Sequence, residues 1–116
     1  MQKDDFIRIQ HMLEAAQEAV AFAQGRSRDD LATDRMLSLA MVRCIEIVGE
    51  AAANVSAEGR DRYPQVPWPD IVGMRNRVVH AYFDIDLKLV WDTITDDLPP
   101  LIVQLDKILA TEGNDG

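Results

Sequence analysis

An all-α, up-and-down bundle of four to five helices is the fold this sequence predicts, on three observations. Apolar residues recur at helical steps of three and four through most of the chain. Aromatic residues make up only 6% against 47% hydrophobic, a balance rich in Ala, Leu, Ile, Val and Met that suits helices packed on helices. Breakers concentrate in one main interruption, Gly59 to Pro69, which holds Pro64, Pro67 and Pro69. A chain of 116 residues is one domain, spanning 1–116, with a core of its own.

The first helix follows from Phe6, Ile9, Leu13, Ala16, Val20 and Ala23, a narrow apolar stripe. Asp4 and Asp5 suit its positive N-terminal end, and Gly25 can close it in a left-handed conformation. After a charged loop, a second helix is expected from about Asp30 to about Ser56. Its buried stripe is Leu37, Met41, Cys44, Val48, Ala51 and Val55, with Met36, Ala40 and Ile47 as a companion row. Gly49 and Ala51-Ala52-Ala53 lack bulk there, so a neighbouring helix can come close. Arg43, Glu46 and Glu50 form a polar strip on the same helix.

A short third helix should begin near Trp68 or Asp70, with Pro69 tolerated in its first turn, and bury Ile71, Met74 and Val78. Tyr82 to Asp86 ends it. A fourth helix uses Leu87, Val90, Trp91, Ile94 and Leu98. Pro99-Pro100 kinks or breaks it, and a fifth follows through Leu101, Leu105, Ile108 and Leu109. The tail from Glu112 to Gly116 is expected to fray.

Composition removes several classes of function. One cysteine, Cys44, allows no internal disulfide and suits a reducing compartment. The start of the chain lacks a signal peptide's apolar core, and no apolar run is long enough for a bilayer, so a cytoplasmic protein without membrane contact is expected. Net charge is −8, adverse to nucleic acid, yet the segment from Ala57 to Tyr82 carries Arg60, Arg62, Arg75 and Arg77 and is net +1. A small cationic island on an acidic body is therefore expected. A di-iron bundle needs Glu-x-x-His pairs, and neither His11 nor His80 has a Glu three residues before it. One Cys and two His give no zinc set, no glycine-rich phosphate loop occurs, and Cys44 on an apolar stripe reads as an inert buried thiol. No cofactor or metal is expected.

What remains is Met74-Arg75-Asn76-Arg77-Val78-Val79-His80-Ala81-Tyr82. An imidazole can take the proton from a ribose 2′-hydroxyl or give one to a leaving oxygen, because its pKa lies near working pH. A guanidinium can hold non-bridging phosphate oxygens and stabilise a pentavalent transition state. The 2′-hydroxyl is then the nucleophile, and no metal is needed. On a continuous helix Arg75 and His80 point about 140° apart, so they meet at one phosphate only across a groove or between two subunits. An Arg followed by His at such spacing arises by chance about 0.5 times in this composition, so spacing alone does not assign the pair.

Three blocks carry more. Ile45-Glu46-Ile47-Val48-Gly49-Glu50-Ala51-Ala52, Tyr63-Pro64-Gln65-Val66-Pro67-Trp68, and the run from Gly73 to Asp86 give the chain a resemblance to the HepT-like toxins of the HEPN superfamily along nearly its whole length. The resemblance implies a HEPN-like all-α homodimer whose two Arg-x4-His motifs meet in a cleft and cut RNA, whether tRNA or mRNA, without metal. It makes Arg75 and His80 the catalytic pair and Asn76 the polar residue following the arginine. Arg77, Glu46 and Glu50 are supporting residues. Tyr82 matches the tyrosine to which a nucleotidyltransferase (MntA-like) antitoxin adds AMP. Bulky anionic phosphates beside Arg75 and His80 would repel RNA, which makes such a switch physically intelligible.

Each residue also has a plainer reading. His80 can be a helix-terminal histidine satisfied by a carbonyl, and Arg75 an ion-pair partner of Glu46 or Glu50. Tyr82 can be packing, Arg77 a surface charge or an RNA contact, and Trp68 a packing anchor. His11 carries no expectation. The alternative functions are a non-catalytic HEPN-type module that binds a nucleotide or a protein, and a purely structural dimerisation domain.

Overall fold

A computed structural model describes residues 1–79 and 84–114, and the expected all-α bundle is what it contains. Five helical tracts follow one another. They are α1 (Lys3–Ala23), α2 with α3 (Asp30–Thr33 and Arg35–Ala53), α4 (Ala57–Arg62), α5 with α6 (Trp68–Val72 and Met74–Val78), and a last tract of α7 (Leu87–Asp92), a π-helical turn (Thr93–Asp97) and α8 (Leu98–Asn114). α1 packs against α3 and α8, while α5, α6 and α7 pack on α3. Among the described residues no helix is long and apolar enough to cross a membrane.

The stripe predicted for α3 is buried throughout, from Leu37 to Ala51, with Val55 just beyond the helix. Its companion row is not Met36, Ala40 and Ile47. Met36 is 83% exposed, and the second buried row is Ser38, Val42, Ile45, Gly49 and Ala52. Cover from α1 on one side and α5 to α7 on the other decides this, and the sequence period alone cannot say which flank receives a neighbour. α1 departs in the same way. Ile9, Met12, Ala16 and Ala19 are fully buried, whereas Phe6, Leu13, Val20 and Ala23 sit half-buried at the edge. Contact with both α3 and α8 widens the buried face beyond the narrow stripe. Gly25 adopts φ 71°, as expected for the residue that closes α1.

Asp34 separates α2 from α3 and caps the latter, accepting the Leu37 N–H at 3.1 Å. α3 then ends at Ala53, three residues before the expected limit, and α4 occupies part of the expected break. Ser56 caps α4 by accepting the Gly59 N–H at 3.0 Å, and its hydroxyl donates to Asp5 at 2.5 Å. Asp5 is thus not a solvated dipole charge. It is buried and also accepts the Ser56 N–H at 2.9 Å, tying the start of α1 to the start of α4. Arg60 donates to the carbonyls of Val55 and Ala53, both at 3.1 Å, and so satisfies the C-terminal end of α3.

Pro99 and Pro100 do not break the last tract. They occupy the first turn of α8, directly after the π turn, whose wider backbone accommodates rings that cannot donate an N–H. Nor does the chain fray at Glu112, the helix running on to Asn114; Asp115 and Gly116 of the expected tail lie outside the described residues. The Glu112 carboxylate is buried, accepting from Arg62 Nε at 2.6 Å and from the Tyr63 hydroxyl at 2.8 Å. Burial pushes its pKa up, but the bonds from Tyr63 and Arg62 outweigh burial and hold it below the ordinary value of 4.5. A carboxylate depressed in the fold stabilises above its unfolded pKa and loses that contribution as pH falls through the folded one. Melting temperature is therefore expected to fall below pH 4.5 more steeply in the parent chain than in Glu112→Gln, which starts lower at neutral pH. Parallel curves for the two proteins would contradict this account.

Candidate active site

The segment of interest rests on α6, a helix barely longer than one turn that buries Met74 and Val78 and leaves Asn76 and Arg77 exposed. The helix stops at Val78. Val79 is extended (φ −115°, ψ 114°) and forms an isolated antiparallel bridge with Ile85, while the Asp86 N–H donates to the Val78 carbonyl at 2.7 Å. Two adjacent β-branched residues favour this turn out of the helix. The expectation of one helix through Tyr82 therefore fails, and with it the 140° separation computed for Arg75 and His80. His80 and Tyr82 lie outside the described residues. The bridge fixes both ends of the interval that contains them.

Arg75 points back to α3. Its Nε lies 3.4 Å from Glu46 Oε2, with the two side chains 43% and 26% exposed. Of the two acidic partners considered, Glu46 is the one used. Glu50 instead faces Arg43 at 3.7 Å, and both of those side chains are more than half exposed. Around the Arg75–Glu46 pair is a pocket of about 190 Å³ walled by Val42, Val79 and Ile85, with Arg35 also on its lining. Two guanidiniums and one carboxylate make this lining net positive in a chain of −8.

Arg77 is elsewhere. It lines a groove of about 420 Å³ between α5–α6 and the start of α8, in company with Asp70, Asp96 and Asp97. The structure brings Arg75 and Glu46 together and leaves Glu50 and Arg77 apart from them. The expected cationic island dissolves likewise. Arg60 closes α3 and Arg62 holds Glu112, while Arg75 and Arg77 belong to different cavities. Sequence reasoning missed Arg35, although its place on the 35–39–42–46 row of α3 would have aligned it with Glu46.

Two plainer readings hold. Trp68 is 5% exposed and donates its indole N–H to the Tyr63 carbonyl at 3.0 Å, a packing anchor. Cys44 is buried, and burial, with Glu18 adding, raises its thiol to about 11, so it is protonated at neutral pH. Among the described residues no three His, Cys, Asp or Glu side chains gather as a metal site.

Comparison with known proteins adds the following. The family described as ribonuclease HepT-like matches residues 12–108. A candidate RNase of Caldanaerobacter subterraneus subsp. tengcongensis is 36% identical over 104 residues, covering 90% of this chain and 93% of the relative. A probable ribonuclease HepT of Thermococcus cleftensis is 31% identical over 100 residues, covering 83% of this chain and 91% of the relative. In Methanocaldococcus jannaschii, a protein named as a gamma-glutamylcyclotransferase and candidate RNase is 35% identical over 109 residues, which are 94% of this chain but 49% of that protein. No solved structure matches the chain.

Proposed function

Since the chain belongs to the HepT-like ribonuclease family, we propose that it is the RNA-cleaving toxin of a toxin–antitoxin pair, acting in the cytoplasm as a homodimer without metal. Membership makes it an endoribonuclease rather than a non-catalytic binding module. The observation that carries the mechanism is Arg75: a guanidinium held by Glu46 at the rim of a net positive pocket, one turn before the interval that contains His80.

In this reading Arg75 grips the non-bridging oxygens of the scissile phosphate, and Asn76 and Arg77 assist binding outside the pocket. His80 takes the ribose 2′-hydroxyl proton as that oxygen attacks phosphorus. The 5′-oxygen leaves with a proton from an acid, for which His80 of the partner subunit is suited. The products are a 2′,3′-cyclic phosphate and a 5′-hydroxyl. The dimer rests on the family resemblance and on the exposed α3 side chains Met36 and Leu39 (44% exposed) beside Arg35. The antitoxin, a nucleotidyltransferase, silences the site by transferring AMP from ATP to the Tyr82 hydroxyl, with loss of pyrophosphate and the phenolic proton.

Cleavage of RNA is expected to persist in excess chelator. It should vanish when the 2′-hydroxyl at the cut site is replaced by hydrogen, and in His80→Ala. Activity that disappears with divalent ions, or that survives His80→Ala, overturns the mechanism. A monomer by sedimentation at micromolar concentration overturns the shared cleft.

A further inference from the structure

Arg35 is the first residue of α3 and stands between two cavities. One is the pocket it shares with Arg75 and Glu46. The other, of about 310 Å³, is walled by Leu31, Ser38, Asp84, Ile85 and Leu87. Arg35 and Ile85 line both, so the two spaces flank one pair of side chains at the Val79–Ile85 bridge.

Among the described residues no ion pair or side-chain hydrogen bond holds the Arg35 guanidinium. A cation in the first turn opposes the helix dipole. The neighbouring Asp34 carboxylate engages the Leu37 N–H and Arg26, the latter at 3.2 Å. A residue that weakens its own helix at the mouth of a candidate site is better explained by a ligand than by stability.

The chemistry of that ligand follows from the lining. Arg35 and Glu46 are eleven residues apart on α3, a rise of about 16 Å, so Arg35 and the Glu46-bound Arg75 are suited to different phosphates of one strand. Ile85 and Leu87, both half-buried, present apolar surface that suits the face of a base. The Asp84 carboxylate can only accept hydrogen bonds, which favours a base edge bearing an amino group over one bearing a carbonyl. Resting on the ribonuclease reading above, we propose that the second cavity is a nucleotide subsite. Arg35 grips a second phosphate of the same strand, and Asp84 selects cytosine over uracil.

Binding of 2′-O-methyl oligocytidine and oligouridine, which resist cleavage, tests this across a salt series. The parent protein is expected to prefer the cytosine strand about tenfold, and Asp84→Asn to lose that preference. Arg35→Ala should reduce the magnitude of the log K against log salt slope by about 0.7 for both strands, the loss of one phosphate contact. Arg35→Lys should retain the slope. An unchanged slope in Arg35→Ala, or no base preference in the parent protein, overturns the subsite. Failure of the ribonuclease reading looks different: the binding pattern stands, but native RNA is not cut in chelator.

Discussion

Arg75→Ala is expected to lower kcat for RNA cleavage by about 10²–10³, the usual loss when one preorganised donor to a transition-state anion is removed. Its fold should survive. The Arg75–Glu46 pair is partly exposed on both sides, so after screening it contributes no more than about 1 kcal/mol. A large kinetic effect on a small stability effect separates catalysis from architecture. Arg75→Lys restores a charge but not the planar fork that meets two phosphate oxygens together, and should recover only part of the rate. Glu46→Gln leaves the guanidinium charged but less firmly oriented, so a smaller fall in kcat is expected, together with tighter RNA binding from the lost carboxylate. Steady-state kinetics beside melting curves check all three. A rate loss that merely follows a fall in melting temperature would remove Arg75 from the chemistry.

The same residues mark how far the sequence could be read. Leu37 through Val55 announced a buried helix, and its period settled which side faces inward, because burial of a helix follows a fixed angular step. What the period could not settle is the width of that side. α1 lies between α3 and α8, and this third body moves the buried centre from Phe6 and Leu13 to Met12 and Ala19. Short elements were harder still. α4 depends on Ser56 serving both Gly59 and the distant Asp5, a junction between residues 51 positions apart that no local pattern contains.

At the site, residue types were legible and their arrangement was not. Arg75 needed an acidic partner, and both Glu46 and Glu50 sat on the right strip. The choice between them depends on where α6 crosses α3, a tertiary fact. Arg75 and Arg77 are two positions apart in sequence but about 160° apart around a helix, so one entered the pocket and the other the acid-lined groove. Val78-Val79 could have flagged the end of α6, since paired β-branched residues suit extended backbone; the bridge to Ile85 uses that preference.

Gly49 joins fold to site, and its replacement by a bulkier residue is expected to lower stability. A β-carbon there would lie 3.2 Å from the Ile71 carbonyl oxygen and 3.4 Å from that of Val72. These are backbone atoms of α5, which cannot swing aside as a side chain can. In Gly49→Ala the neighbour must give by a few tenths of an ångström, offset by a gain in helix propensity of about 1 kcal/mol, so a small change is expected. Gly49→Val adds two methyl groups at the same contact. It should cost about 1–3 kcal/mol by overpacking, or roughly 4–12 °C in melting temperature for a domain of this size. Ala53→Val, at an exposed position of the same helix, controls for the β-branched side chain itself. The consequence extends to catalysis because α5 leads through Gly73 directly into α6, so lifting α5 off α3 carries Arg75 away from Glu46, which lies one turn from Gly49. Gly49→Val assayed well below its melting point should therefore cleave RNA more slowly than Ala53→Val at equal folded fraction. Equal rates would mean that the approach of α5 to α3 does not position the guanidinium.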